Sequence, residues 1–593
     1  MNVFEHQRFL LRTRPPEGGP GDQLRLSWKE IMTGPDQALR FDYPLEYMNV
    51  AALGLCAALT QAVFDPADAE ELVGRLMTPL IEDEIEKAIA PLRDAFAIDG
   101  KRPFLQGPEP KRDAKGRLDT GSLSEILLTV KKGDKEFLNR PIDEWGVAID
   151  QIPLLLFSRS TFFEKSAGRG YLTGTSGDLE IRTFPIDRGS LRRTIWLNVL
   201  TRENQTKDFI AAGAGSDKDY DSWMWLSPPK GGEVAQGRIS LRSGLFWMVA
   251  NGWIDIRELD SERLCIVTGE PIPAGERAGT GVVVTATSIG FGAKVPNAQG
   301  VDVRQSFFEH PNGPYKVITP EKTGIPFTTH LSVEENRGLI GQMGGLFFAT
   351  GRARKTEAIH IAPIVKQLTD LQGVLEDDHD VEGRDRYDLL CFGFNMLSSK
   401  KNVHGGYASE LFTYPILGRN LEDREVALDA AEAIVNGAAQ ITRSIEYALH
   451  RAIQRCTMTA TDSEDNDGVV TFKEKEKINS SGMMNDATAE LWSNAGDELR
   501  LLLIEIDKLK ESSDEIRRNE QTLLDRWTDA MVRHAERIFH RYFNTYSVSP
   551  QHLLAAHDAR RLFYSLIRNI DSGVFERRST SIPTSSTEVE QNG

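Results

Sequence analysis

The sequence predicts an α+β protein in which a large, irregular mixed α/β N-terminal domain precedes a C-terminal four-helix bundle. From about Pro103 to Thr350, short β-prone runs alternate with clusters of Gly, Pro and Asn, a pattern typical of short strands joined by long loops. After about Asn420, long amphipathic segments continue almost without proline until Pro550. Four such segments joined by shorter loops imply a bundle; they are residues 424–456, 484–512, 514–544 and 549–570.

The N-terminal domain begins with a helical pattern. Val50–Leu59 is the most apolar stretch, and it is about half the roughly 20 residues that cross a bilayer, so we expect a buried core helix. Asp65 is the expected N-cap of the next helix. The β-prone runs follow as "IPLLLF", "RTIWLNVL", "GVVVTAT" and "YKVIT". These patterns predict an N-terminal domain over 1–415, the bundle over 416–575 and a disordered tail over 576–593.

Composition narrows the classes of function. The 593 residues carry a formal net charge of −17, which argues against a protein that coats nucleic acid with its whole surface but is compatible with local basic patches. The four cysteines form no C-x-x-C pair, so neither a disulfide framework nor a cysteine zinc site is expected. The first residues lack the basic start and cleavage site of a signal peptide. We therefore expect a cytoplasmic protein with no membrane partner.

Catalytic and metal-binding motifs are weak. The glycine-rich stretch "KSAGRGYLTGTSGD" (165–178) lacks the G-K-[ST] ending of a Walker A loop, which leaves a flexible connection or a bare main chain that approaches a partner. His379 and Asp380 keep a metal-dependent nuclease or an HD-type phosphohydrolase open as the alternative function. The segment "SEDNDGVVTFKE" (463–474) has the spacing of an EF-hand loop, but Ser463 stands at the first ligand position. A solvated acidic loop between two bundle helices is therefore favoured over a calcium site.

Five segments occur in an order that resembles one family. They are "MTPLIEDEIEKAIAPLRDAFAIDGKRPFLQ" (77–106), "DKEFLNRP" (134–141), "RTFPIDRGSLRRTIWLNVLT" (182–201), "GLFWM" (244–248) and "DLLCFGFNMLSSKKNVHGGYASEL" (388–411). This ordered set resembles CasA, the large subunit of the type I-E CRISPR surveillance complex Cascade. The bundle matches that family only in type. Some members hold zinc with a cysteine cluster in mid-chain, where this sequence has only Cys265, so we expect no metal and no cofactor.

The resemblance implies a DNA-recognition subunit and not an enzyme. It implies recognition of the PAM in target double-stranded DNA, promotion of strand separation and R-loop formation with the guide RNA, and recruitment of a helicase–nuclease effector. The division in which protein recognises the PAM and base pairing recognises the rest has a parallel in another CRISPR effector class. The expected partners are CRISPR guide RNA, target duplex and the other Cascade subunits, namely the backbone, guide-handle-binding and small subunits.

The resemblance also places candidate contacts to nucleic acid in the N-terminal domain. A loop that contacts DNA or guide RNA corresponds to Phe137, Asn139 and Arg140. The glycine loop that meets the minor groove beside the PAM corresponds to Gly170, Gly174, Thr175 and Gly177, with Lys294 directed toward the PAM. The minor groove is only about 6 Å wide, and a backbone without side chains can approach it closely.

Two further sets concern strand separation. The run "DLLCF" precedes the family's strand-separating wedge, which corresponds here to Gly393, Phe394 and Asn395; Phe394 departs from the polar tip of other members. An apolar wedge can still part a base step. A path for the displaced non-target strand is expected along two sets of cations. One set is Lys400 and Lys401, just beyond the wedge. The other is a stripe on the third bundle helix with no acidic partner at the same spacing, formed by Arg526, Arg533, Arg537 and Arg541.

Overall fold

The computed structural model of the chain describes most, but not all, of its residues. The described residues are 1–13, 21–36, 38–111, 114, 118, 120–121, 123, 145–162, 181–209, 223–227, 233–234, 240–246, 248, 251–285, 290–291, 294–296, 302–304, 310–319, 327–334, 336–349, 357–377, 386–397, 403–417, 421–464, 470–473, 480–510 and 512–571.

Fifteen α-helices lie within the described residues. They are α1 Val3–His6, α2 Trp28–Thr33, α3 Glu46–Val63, α4 Ala69–Met77, α5 Glu82–Ile89, α6 Ile152–Phe162, α7 Leu191–Leu197, α8 Arg202–Phe209, α9 Leu241–Leu245, α10 Met343–Leu346, α11 Pro363–Asp377, α12 Leu421–Cys456, α13 Ser480–Lys508, α14 Ser513–Ser547 and α15 Leu553–Asp571. In the part of the chain that these ranges describe, no helix is both long enough and apolar enough to cross a membrane.

The described strands are mostly short. They are β1 Phe9–Thr13, β2 Gln23–Leu26, β3 Ala38–Phe41, β4 Trp145–Ala148, β5 Arg182–Ile186, β6 Glu233–Val234, β7 Asn251–Glu258, β8 Arg263–Cys265, β9 Pro271–Ile272, β10 Arg277–Thr285, β11 Gly290–Phe291, β12 Lys294–Pro296, β13 Asp302–Arg304, β14 Tyr315–Ile318, β15 Phe327–His330, β16 Glu357–His360, β17 Arg386–Leu397, β18 Val403–Pro415, β19 Thr459–Glu464 and β20 Val470–Lys473. The mixed α/β architecture with a helical C-terminal region confirms the predicted fold class.

The chain forms two compact units that interleave along the sequence. The first comprises Met1–Glu335, Gln342–Glu432 and Ile506–Glu515, and the second comprises Asn336–Gly341, Ala433–Glu505 and Ile516–Gly593. The predicted domain ranges 1–415, 416–575 and 576–593 remain a prediction, and residues 572–593 lie outside the described part of the chain.

The first unit contains several small sheets. Their strand orders are β2-β1-β3, β7-β10-β4-β8-β9, β15-β14-β16 and β18-β17-β5. Strand β10 lies inside the five-stranded sheet, where a Cβ on Gly279 would lie 2.5 Å from both Ile254 and Val147. Glycine at this position therefore allows the neighbouring side chains to pack directly over the strand.

The core of the first unit is aromatic and apolar. Helix α3 is buried over most of its surface, as expected for Val50–Leu59. Phe96 and Phe104 stack at 5.2 Å, and Trp225 and Phe246 pack edge-on against both rings. These residues come from segments far apart in sequence, so the cluster joins 77–106 to 223–248 through burial of large aromatic surfaces.

Two of the four β-prone runs are helices. "IPLLLF" begins α6 and "RTIWLNVL" lies largely in α7, whereas "GVVVTAT" and "YKVIT" fall mainly in β10 and β14 as expected. A short, fully buried apolar run has no periodicity that distinguishes strand from helix. The local signal that favours helix in α7 is Ser190, whose side chain accepts from the Arg193 N–H at the N-cap.

The prediction that Asp65 caps the helix after α3 is also wrong. Asp68, rather than Asp65, caps α4 by accepting a hydrogen bond from the Glu71 N–H. The carboxylate of Asp68 precedes two glutamates in the first turn, where negative charge is favoured. Both aspartates suit an N-cap by residue type, so local propensity alone does not choose between them.

The second unit is built mainly from the four long helices α12–α15, although the start of α12, the end of α13 and the start of α14 belong to the first unit. Trp492 of α13 donates its indole N–H to Glu446 of α12 at 2.9 Å, and Trp527 of α14 donates to Thr442 of α12 at 3.1 Å. Phe539 of α14 stacks on Phe563 of α15 at 4.6 Å. These contacts pack the helices against one another and confirm the helical C-terminal region.

The segment with EF-hand spacing is part of a β-hairpin. Strands β19 and β20 pair antiparallel through Thr459↔Lys473 and Glu464↔Val470. An EF-hand loop is flanked by helices, whereas strands flank this turn. The calcium-loop alternative therefore does not match the fold, although Asp465, Asp467 and Glu474 lie outside the described residues.

Candidate nucleic-acid interface

The strand pair β17–β18 is the longest hairpin among the described residues. Strand β5 pairs with β17 only from Asp388 to Phe392, while β17 and β18 stay paired out to Leu397↔Val403. Within the described part of the chain, β17 beyond Phe392 pairs with β18 alone, so the sheet narrows there to a two-stranded ribbon. We call this part, residues 393–397 and 403–408, the distal ribbon.

The predicted wedge residues lie at the start of the distal ribbon. Gly393 and Phe394 pair with Ala408 and Tyr407, and the register then shifts before Met396↔His404. Asn395 consequently faces two glycines, Gly405 and Gly406, at a β-bulge carried by β18. A bulge increases local twist and redirects a strand. The predicted wedge residues are thus part of a hydrogen-bonded ribbon, a stiffer element than a loop.

The base of the hairpin is fixed by an ion pair. Arg188 Nη2 donates to Asp388 Oδ1 at 2.7 Å, and Arg188 Nε donates to the other carboxylate oxygen. The Asp388 side chain is 3% exposed and that of Arg188 is 72% exposed. The hydrogen bonds and charge of Asp388 raise the pKa of Arg188 above its usual range. A buried carboxylate needs such compensation, so Arg188 stabilises β17 where it joins β5.

One aromatic residue at this site was missed from the sequence. Tyr407 is 37% exposed, and its ring lies 5.6 Å from Phe392 and 6.2 Å from Tyr47. It stands where the third strand ends and the distal ribbon begins. The available signal was the spacing "HGGY", an aromatic residue directly after two glycines in a hairpin strand.

Lys294 lies in a second short hairpin. It is the first residue of β12 and the register partner of Arg304 in β13. Residues directly opposite in an antiparallel pair are close neighbours, so this hairpin brings two basic residues together. Arg304 was not identified from the sequence, because the pairing joins positions ten residues apart across residues 297–301.

Several expected contacts lie outside the described residues. These are Phe137, Asn139 and Arg140 of the predicted contact loop, Gly170, Gly174, Thr175 and Gly177 of the predicted glycine loop, and Lys400 and Lys401 of the predicted non-target-strand path. His379 and Asp380 of the alternative metal site lie outside them too. Across the described ranges, no group of three or more His, Cys, Asp or Glu is arranged to hold a metal ion.

The arginine stripe of α14 is exposed, but two of its members are paired. Arg541 Nη2 binds Glu490 of α13 at 2.7 Å, and Arg526 Nη1 lies 3.4 Å from Glu505. Between them, His534 Nε2 lies 3.0 Å from Glu498. The expectation of a stripe without acidic partners is thus wrong for Arg526 and Arg541, because the carboxylates come from the antiparallel neighbour helix and not from α14 itself.

The other two arginines of the stripe differ. Arg537 contacts His534 on the same helix. Arg533 is exposed and has no ion-pair partner within the described residues. Among the four arginines of the stripe, Arg533 and Arg537 are therefore the two without a carboxylate partner in the described part of the chain.

Comparison with known proteins identifies the family. The family model for CRISPR-associated protein Cse1 matches residues 15–538 of the chain. The chain belongs to the CRISPR-associated protein Cse1 family. Because a Cse1 structure from Thermus thermophilus is also named CasA, the match confirms the resemblance found in the sequence.

Solved Cse1 structures share the fold over nearly the whole chain. Cse1 from Acidimicrobium ferrooxidans is 15% identical with a TM-score of 0.63, covering 96% of this chain and 98% of that one. A CasA structure from Thermus thermophilus is 14% identical with a TM-score of 0.61, covering 96% and 99%. A chain of a CRISPR RNA-guided surveillance complex is 13% identical with a TM-score of 0.56, covering 95% and 99%. Identities this low show a common Cse1 fold and no more.

Proposed function

We propose that this Cse1-family chain is the large subunit of a type I-E CRISPR Cascade complex and acts without catalysing a reaction. It recognises the PAM in target double-stranded DNA, promotes strand separation and R-loop formation with guide RNA, and recruits a helicase–nuclease. Its partners are guide RNA, target DNA and the backbone, guide-handle-binding and small subunits. The match to Cse1 and the likeness to a chain of a surveillance complex support this assignment.

The distal ribbon is the observation that carries the proposal. A two-stranded β-ribbon is narrow enough to enter the major groove of DNA. Its paired strands also make it more rigid than an isolated loop. Parting a base step costs a few kcal/mol, which must be repaid by contacts to the separated strands. Arg188 and β5 fix the base of the hairpin to the rest of the first unit, so the ribbon can keep its position while it separates a base step.

The remaining candidate residues have roles suited to their chemistry. Gly170, Gly174, Thr175 and Gly177 bring bare main chain to the minor groove, and Lys294 with Arg304 supplies positive charge beside the PAM. Phe137, Asn139 and Arg140 contact nucleic acid near the guide. The exposed ring of Tyr407 can stack on a base that leaves the duplex.

The test of this proposal uses the assembled complex with and without the chain. Addition of the chain should confer binding to a duplex with the correct PAM, and a scrambled PAM should abolish that binding. The purified chain alone, supplied with Mg²⁺ or Mn²⁺, should leave DNA and phosphodiester substrates intact. Metal-dependent cleavage that is lost in His379→Ala with Asp380→Ala would instead establish the nuclease or phosphohydrolase alternative.

A further inference from the structure

Helix α15 carries a groove lined by hydrogen-bond donors. Its lining comprises Arg560, Arg561, Tyr564, Ser565, Arg568 and Asn569. Every one of these side chains can donate a hydrogen bond, and none is acidic. Arg561, Ser565 and Arg568 recur at spacings of four and three, which places them on one face of the helix. The three arginines are exposed.

The groove is held in place by the neighbouring helix. Tyr564 Oη lies 3.2 Å from His540 Nε2 of α14, and the Arg560 guanidinium lies over the Phe543 ring at 5.6 Å. One carboxylate, that of Glu536, is close enough to hydrogen-bond Tyr564. His540 shares a helix face with Arg533 and Arg537 by its spacing of seven and three. Helix α14, which also carries Arg533 and Arg537, therefore borders the groove, and Glu536 lies on the same face of α14 as His540.

The arginines of α15 differ from those that face α13. Arg526 and Arg541 each have a glutamate partner, whereas Arg561 and Arg568 have no ion-pair partner among the residues that the structure describes. In a chain with a net charge of −17, a row of arginines that have no ion-pair partner within the described ranges is an unusual concentration of positive charge. It provides a local attraction for an anion, while the acidic remainder disfavours unspecific binding.

The chemistry of the lining indicates the class of ligand. Arg, Ser, Asn and Tyr are the side chains that donate to phosphate oxygens of nucleic acids. A protein interface would have an apolar, aromatic centre, and this lining has Tyr564 alone. Arg561 and Arg568 are seven residues apart, about 10 Å along the helix, which suits a ligand with repeated phosphates better than a single anion.

We propose that the α15 groove binds the phosphate backbone of a single nucleic-acid strand. The inference rests on the proposed function, because opening of a duplex supplies such a strand. It adds Arg560, Arg561 and Arg568 to the path predicted along Lys400, Lys401 and the arginines of α14.

The test measures binding of a short fluorescent single-stranded DNA without a PAM to the full chain over a series of salt concentrations. The test variant is Arg561→Gln with Arg568→Gln. Loss of two phosphate contacts should make the negative slope of log association constant against log salt concentration shallower by about 1.4. It should also lower the affinity by on the order of 20-fold at about 0.1 M salt. The matched control is Arg451→Gln with Arg517→Gln, which removes the same charge from exposed sites elsewhere on the helical unit.

Three results would overturn the inference. The first is a test variant whose affinity and salt slope equal those of wild type or of the control. The second is inorganic tripolyphosphate that displaces the DNA at equal concentration of phosphate, which would indicate a site for free polyphosphate. The third is a test variant that keeps DNA binding but no longer co-purifies with the other subunits, which would indicate an acidic protein partner. Since this DNA has no PAM and needs no opening, the result is separate from the PAM test of the proposed function.

Discussion

Arg188 donates to both carboxylate oxygens of the buried Asp388, and this pair joins the end of β5 to the start of β17. Asp388 also lies 3.5 Å from the Thr413 hydroxyl of β18. The three strands at the base of the hairpin are thus connected through one carboxylate. The distal ribbon depends on this base, because beyond Phe392 its two strands pair only with each other among the residues that the structure describes.

The first prediction follows from the unequal burial of the two partners. Arg188→Ala leaves a buried charge without its partner and should lower the free energy of unfolding by about 2 kcal/mol. Asp388→Asn leaves an exposed guanidinium that water can solvate, so we expect a smaller loss of about 1 kcal/mol. Urea denaturation measures both. Arg202→Ala, which removes an exposed pair with Asp65, serves as control and should change stability by less than about 1 kcal/mol. Equal losses for all three variants would contradict this account of the hairpin base.

The second prediction concerns pH. Burial, together with the nearby Arg182 cation, holds the pKa of His310 well below its usual range. His310 is therefore neutral in the folded chain, while the unfolded chain takes up a proton as pH falls below about 6.5. The contribution of His310 to the free energy of unfolding is fully present above about pH 6.5. It decreases as the pH falls toward the pKa of the folded state, by up to about 1.4 kcal/mol per pH unit.

The variant His310→Asn tests this dependence. Asparagine can still accept the hydrogen bond from the Asn312 N–H but does not titrate. Its urea midpoint should vary less between about pH 7 and about pH 5 than that of wild type. His6→Asn, at an exposed histidine, should keep the wild-type dependence. If the urea midpoint of His310→Asn varied with pH as much as that of wild type, the pH dependence would come from other groups and the prediction would be wrong.

The third prediction concerns the glycine loop. Gly174→Asp with Gly177→Asp adds bulk and negative charge where we propose that main chain meets the minor groove, so PAM-dependent binding should fall while the complex still assembles. Gel-shift assays with the purified complex measure binding. The control, Gly74→Asp with Gly373→Asp, adds the same charge on two helices at positions where a Cβ has open space. Unchanged affinity in the loop variant would remove the loop from PAM recognition.

The helical part of the fold could be predicted because its signal is local and periodic. The four bundle helices were located within about four residues of their ends. Where the pattern was short and fully buried, as in "IPLLLF", helix and strand were indistinguishable and the tertiary environment decided. The choice between Asp65 and Asp68 as N-cap fails for a similar reason, since both have the right side chain.

The candidate site was harder to predict because it depends on contacts between distant segments. The glutamates that pair with Arg526 and Arg541 belong to α13, about 21 and 51 residues away, and no spacing on α14 reveals them. Arg304 and Tyr407 become neighbours of predicted residues only through strand register. The wedge residues are a prediction from the resemblance to CasA, whereas their place in a paired ribbon with a bulge opposite Asn395 follows only from the fold.

Strand opening beside the PAM tests the central claim most directly. A fluorescent base next to the PAM should brighten when the wild-type complex binds its target, and Phe394→Ala should reduce the open fraction roughly tenfold, because part of the few kcal/mol needed to unstack a step is no longer supplied. Binding to the PAM should stay unchanged. Leu411→Ala, an exposed apolar residue in the three-stranded part of the same hairpin, should open DNA like wild type. Opening by Phe394→Ala equal to that of wild type would contradict the proposal that the distal ribbon separates the strands.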